Sequence, residues 1–237
     1  MKFNYPKRYS FIYTVLLIVV LPYFAEAQGD KGVVDFAETM YGTNDILVNG
    51  IEYIEGDTRI DGTPNLFSDN WQIGDVFIKG EAFLKRELKY NIFADKLVLK
   101  FLTTQGVQRG VIIDNNLVDS VLINGHLFFS TKDFTNQFID KGFVEYLKLK
   151  NSVLYISYYK EHIKFYTDSH PYGRYSDTKR KVYLEMEDQY FDISKKRDFL
   201  KLFEDKKRDI KKFLRKNKIK YKKANIRDFE SLLRINE

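Results

Sequence analysis

Between about Asp45 and Ile193 the apolar residues of this chain recur at every second position, and from Ser194 onward they recur every three or four. A period of two puts side chains on alternate faces of an extended strand, and a period near 3.6 gathers them on one stripe of a helix. The chain is therefore expected to fold as a β-rich body followed by helices. In Glu81–Tyr90, Ala82, Leu84, Leu88 and Tyr90 share one predicted face, and Glu81, Lys85, Glu87 and Lys89 the other. Leu97, Leu99 and Phe101 oppose Lys96 and Lys100, while Val182, Leu184 and Met186 oppose Lys181, Tyr183, Glu185 and Glu187. One face toward a core and one toward water is the pattern of antiparallel sheets. Ser152–Tyr166 leaves neither face polar, which predicts a central strand covered on both sides.

Turn chemistry divides the body. Asn49-Gly50 and Asn124-Gly125 are each flanked by apolar triplets, and Asn-Gly supplies the two positive φ angles that a two-residue hairpin needs. Val76–Leu84 is a looser third copy, read as convergence of hairpins because the spacing is unequal. Two longer connections stand out. Gly56–Gly74 carries Asp57, Arg59, Asp61, Asp69 and the only tryptophan, Trp71. Thr167–Lys179 carries His170, Tyr172, Arg174 and Tyr175.

Past the body, Ser194 is expected to cap a first helix with Phe199, Leu200 and Phe203 on one stripe. Asp205 is expected to cap a second, with Ile210, Phe213 and Leu214 inside, Lys207, Lys211, Lys212 and Arg215 outside, and Asn217 as its stop. A short third helix carries Phe229, Leu232 and Leu233. The expected fold class is mainly β (α+β): an antiparallel meander forming a sandwich or a partly open barrel, then two to three short amphipathic C-terminal helices. A transmembrane β-barrel fits less well, since such barrels usually finish on a strand.

The N-terminus predicts export. Lys2, Lys7 and Arg8 precede an uncharged, mostly apolar run from Phe11 to Phe24, and Ala25-Glu26-Ala27 places small residues where a signal peptidase reads. The run is shorter than the roughly 20 residues of a membrane span, so a signal over 1–27 is expected, with Gln28 as the mature N-terminus. The expected organisation is then a β-rich domain at 28–193 and a basic helical segment at 194–237. No permanent membrane span is expected after cleavage, and the location is the periplasm or outside the cell. With no cysteine, the chain has neither disulfides nor a thiolate metal site. A chain of this length can bury enough apolar surface without them.

Charge is segregated. Residues 194–237 hold 17 Lys/Arg against 7 Asp/Glu, a net +10, which leaves residues 28–193 near −6. Such a tail is a solvated face or a contact for an anionic surface or an acidic envelope protein. Nucleic acid is not an expected partner, because the lysines alternate with apolar residues instead of exposed aromatics and the chain is expected to leave the cytoplasm.

Catalytic motifs are few. His126, His162 and His170 form no metal-ligand spacing. Asp57–Gly62 lacks the middle and closing acidic ligands of a calcium loop. There is no nucleophile elbow and no glycine-rich phosphate loop, so neither metal nor cofactor is expected. A hydrolase with paired carboxylates on separate strands would leave no pattern to read. The residues best suited to contact a ligand are His170, Tyr172, Arg174, Tyr175 and Trp71, because aromatic and Arg side chains favour contact surfaces.

Leu88-Lys89-Tyr90-Asn91-Ile92-Phe93-Ala94-Asp95-Lys96-Leu97 resembles a recurrent strand pair of uncharacterised secreted β-rich proteins of Gram-negative envelopes. The stretch from Asp192 through Phe199–Phe203 to Phe213–Lys218 is similar to the lysine-rich helical ending of the same group. The resemblance spans roughly residues 70–237 and implies export and a sheet-then-helices order. It carries over no activity and no site residue. The expected function is a non-catalytic periplasmic or secreted binding or adaptor protein. The alternatives are an envelope hydrolase acting on glycan or peptide, and a self-associating structural subunit.

Overall fold

The computed structural model describes residues 50–235 except 104, 133 and 135–138. Asn49 and the expected signal residues Ala25, Ala27 and Gln28 lie outside the described residues. The strands are β1 (Ile51–Glu52), β2 (Gln72–Ile78), β3 (Glu81–Asn91), β4 (Lys96–Leu102), β5 (Gln108–Ile113), β6 (Val118–Ile123) and β7 (His126–Ser130). They continue as β8 (Phe143–Lys148), β9 (Ser152–Tyr159), β10 (His162–Ile163), β11 (Arg174–Tyr175), β12 (Lys179–Met186) and β13 (Gln189–Asp192). Three helices follow: α1 (Lys196–Leu202), α2 (Lys207–Lys216) and α3 (Ile226–Leu233).

Eleven strands form one antiparallel sheet in the order β1-β5-β4-β3-β2-β6-β7-β8-β9-β12-β13, and β10 pairs with β11 apart from it. Two meanders run outward from the β2–β6 pair. The sheet curls strongly. Tyr90 on β3 and Phe143 on β8 are four strand steps apart in this order, which is about 19 Å across a flat sheet. Their ring centroids are 5.6 Å apart, edge to face. The Asp95 carboxylate, after β3, also accepts from the Gly142 N–H at 2.6 Å. Of the arrangements the sequence leaves open, the fold is thus a partly open barrel. It does not close, and its described edges are strands of two and four residues.

The concave face of β2–β8 holds one core, including Val76, Leu88, Tyr90, Leu97, Val121, Phe128 and Phe143. A second core lies between β9–β12 and the helices. There Leu154, Ile156, Val182 and Leu184 meet Phe199, Leu200, Ile210, Leu214, Phe229 and Leu232. The basic segment is docked by its apolar stripe, and on the other face of β9 Tyr155 packs beside its strand neighbours Tyr146 and Tyr183 and edge to face with Phe134, from outside the sheet. Both coverings explain the absence of a polar face in that strand. No described helix is long and apolar enough to cross a membrane.

Three local expectations are corrected. Phe83, not Ala82 or Leu84, points to the core, and Leu84 is exposed. Val76 pairs with Phe83 and Gly74 with Arg86, so Leu84 and Lys85 oppose Asp75 alone. This bulge, with Lys85 at φ 52° and its N–H donating to Asp75 at 2.7 Å, flips the alternation. Ser194 does not cap α1. Lys195 holds that position, and the Ser194 hydroxyl accepts from Val182 N–H on β12 at 2.9 Å. Asp205 likewise gives way to Lys206, so α2 starts without a side-chain cap. Asn217 does end α2. The expected Asn-Gly hairpin at 124–125 joins β6 to β7 with φ 51° and 77°.

Candidate functional site

The two long connections meet. Asp61 N–H donates to Gly173 O at 3.2 Å and Tyr175 N–H donates to Asp61 O at 2.9 Å, a bridge between the loops. Side chains reinforce it: the Arg59 guanidinium lies over the Tyr172 ring at 4.2 Å, and His170 Nδ1 lies 3.1 Å from Asp61 Oδ2. That last contact is a close approach and not an aligned hydrogen bond, since Nδ1 has no hydrogen-bond partner. His162 donates from Nε2 to Tyr172 O at 3.0 Å, the carbonyl fixing which ring nitrogen carries the proton.

The joined loops are anchored to the sheet. Leu66 N–H donates to Tyr90 O, and Ile92 N–H to Pro64 O, which continues β3 pairing into the loop. The Lys160 ammonium, just past β9, donates to the carbonyls of Thr63 and Asn65 at 2.8 and 2.7 Å. Its partial burial lowers its pKa, against which Asp69 and Asp177 act.

Between the loops lies a cleft of about 170 Å³, lined by Tyr53, Glu55, Asp57, Asn65, Asp69 and Tyr175 with neighbouring backbone. This is below the roughly 300–1,000 Å³ of drug-sized sites, so it suits one side chain or one ring. Its carboxylates are held in different ways. Asp57 accepts from Arg59 Nε and Nη2, each at 2.7 Å, and from Arg59 N–H, which depresses its pKa to about 2. Glu55 pairs with Lys89 Nζ at 2.7 Å. Asp69 accepts from two neutral donors, the Thr63 hydroxyl and Asn65 Nδ2. Asn65 is only 3 % exposed, and its Oδ1 has no partner. Burial, with Tyr53, Asp57 and Asp69 nearby, raises the Tyr175 hydroxyl pKa.

Of the predicted contact residues, His170, Tyr172, Arg174 and Tyr175 therefore come together with the first loop, and Tyr175 alone lines the cleft. Arg174 is exposed beside it, pairing through its backbone with Ile163. Trp71 stands apart from the cleft lining. Its ring covers Gly110 and receives the buried Lys89 ammonium at 4.7 Å, on the outer face of β3–β5. Tyr53, Asn65 and Asp69 were not singled out as contact residues. The continuation of β3 pairing at Asn65 places Asn65 and Asp69, Tyr53 is placed by its N–H donating to Gly110 O on β5 at 2.8 Å, and neither register has a local sequence signal.

The basic residues divide similarly. Lys207 lines an open groove of about 450 Å³ between α1 and α2, with Lys196, Arg197, Lys201, Leu200 and Glu204. Lys211, Lys212 and Arg215 are exposed on the outer side of α2. Among the described residues no cluster of three or more His, Asp or Glu is placed to hold a metal ion. Compared with protein-family models, with curated proteins and with solved structures, the chain matches none, so its function is read from this geometry.

Proposed function

We propose that this chain is an exported, non-catalytic binding protein that makes contact through the two-loop cleft. The groove and outer side of the basic helices form a second contact, for an anionic envelope surface or an acidic protein. The observation that carries this reading is the mutual locking of the loops through Asp61, Gly173 and Tyr175. Loops fixed before a ligand arrives avoid the ordering cost of binding, and rigid scaffolds carry such loops for recognition.

The test is site-specific photocrosslinking in the producing cell. A photoreactive side chain replaces Tyr172 beside the cleft, Lys211 on α2 or, as control, the exposed hairpin residue Glu81. Distinct adducts from Tyr172 that disappear with Tyr175→Ala are expected. Labelling from Tyr172 no richer than from Glu81 would remove the cleft as a contact surface. A separate adduct from Lys211 supports the second contact, and its absence would confine recognition to the cleft.

A further inference from the structure

The balance of donors and acceptors in the cleft narrows its ligand. Three carboxylates line it, from Glu55, Asp57 and Asp69, and no Lys, Arg or His does. The nearby cations are turned to other work. Arg59 grips Asp57, Lys89 grips Glu55, and Lys160 grips the Thr63 and Asn65 carbonyls. The side-chain donors left are hydroxyls, and Tyr53 Oη already accepts from Asn91 Nδ2 at 3.2 Å.

Asn65 adds an independent observation. Its amide nitrogen is committed to Asp69, and its Oδ1 is buried without a donor. A buried acceptor left unmet is unfavourable, and a ligand bearing N–H groups can relieve it. A sugar ring brings as many acceptors as donors and would leave its own lone pairs unmet here. An ammonium or guanidinium brings donors only. Two tyrosine rings, Tyr53 and Tyr175, also frame the space, and aromatic faces attract cations.

We propose that the cleft receives the cationic end of a lysine or arginine side chain presented by a peptide partner. Asp69 is its counter-ion, Asn65 Oδ1 a second acceptor, and Tyr53 and Tyr175 the flanking rings. This deepens the binding-protein reading and rests on it. The cleft's size fits the requirement, because it has room for one such side chain and little more.

The experiment uses the full mature chain and four capped tripeptides, with Lys, Arg, Glu or Gln at the centre between glycines, and methyl glucoside as a neutral polyol. Binding is followed by chemical-shift changes. The Lys and Arg peptides are expected to shift Asn65, Asp69 and Tyr175 saturably, with the Glu and Gln peptides at least tenfold weaker. Asp69→Asn should weaken the basic peptides about tenfold. Because Asp69 also accepts from Thr63 and Asn65, Glu55→Gln serves as a second variant and should weaken them by a smaller factor. The wild-type shift map itself needs no variant.

Equal binding of the Gln and Lys peptides would overturn the cationic preference, as would saturable shifts from the glucoside alone. In either case the cleft would still bind, and the broader reading would survive. Absence of cleft shifts from every probe would overturn the inference. Joined to a failure of crosslinking from Tyr172, it would remove the binding reading as well.

Discussion

Among the described residues Glu145 is the most deeply buried charged one, 2 % exposed, on the concave side of β8. It survives there because its oxygens are engaged by His126 Nδ1 and by the Tyr158 hydroxyl, each at 2.5 Å. Tyr158 packs against both cores, so the bond is placed where they meet. Tyr158→Phe removes one donor from a buried carboxylate and is expected to cost about 1–3 kcal/mol. Urea unfolding should show a lower midpoint with unchanged slope. In the cleft, the low pKa of Asp57 comes first from the Arg59 side chain. A carboxylate with a depressed folded pKa contributes stability above its unfolded value, and loses it as pH falls toward the folded one. Arg59→Ala should return the Asp57 titration from about 2 toward 3.8 by carbon-detected NMR. Neither partnership of Glu145 was legible in the sequence, since Tyr158 and His126 lie 13 and 19 positions away from it.

At the scale of elements, alternation located the strands well where pairing is regular, as in Lys96–Phe101 and Val182–Met186. It failed in β3 because a bulge adds one residue and reverses the faces beyond it. Nothing in Leu84-Lys85 announces a bulge, since Lys is an unremarkable residue that here adopts φ 52°. The helix starts failed for a related reason. Ser194 has the right chemistry for a cap, but a nearer backbone donor on β12 claims its hydroxyl. The third helix, by contrast, carries a full capping box from Asn225 and Asp228. The β12–β13 turn is the reverse case, a tight hairpin with no turn signature. Glu187 and Asp188 sit at φ 50° and 59°, a conformation that side chains resist by roughly 1–2 kcal/mol. The double substitution Glu187→Asn with Asp188→Gly supplies the residues that such a hairpin favours. It should stabilise the protein by about 1 kcal/mol, read as a rise of a few degrees in Tm.

For the whole molecule, the sheet-then-helices order was plain in the change of period at Ser194, and the docking of the helices was not. The apolar stripes of α1–α3 required a partner without naming it, and the curl of the sheet depends on contacts such as Tyr90 with Phe143 that no local pattern encodes. Burial has a consequence at high pH. Burial first, and Asp95 or Glu145 next, push the Tyr90 and Tyr158 hydroxyls up, and burial does so for Tyr221. A group with a raised folded pKa keeps its contribution below the unfolded value, near 10, and loses it as pH rises beyond. Stability should therefore decline above about pH 10, with tyrosinate absorbance and loss of β-sheet circular dichroism appearing together. The β2–β6 pair has a further consequence, for the order of events in folding. From β5 through β9 every other neighbouring pair is also adjacent along the chain. Each meander can zip from its own hairpins, but joining Val76 to Val121 must first close the whole excursion through β3, β4 and β5. Closure entropy is paid before that contact returns anything. Val121→Ala should consequently slow refolding about tenfold, whereas Leu184→Ala in β12 should act mainly by speeding unfolding. A chevron for each variant would separate the two arms, and the seam between the meanders would set the pace at which this protein reaches its native state.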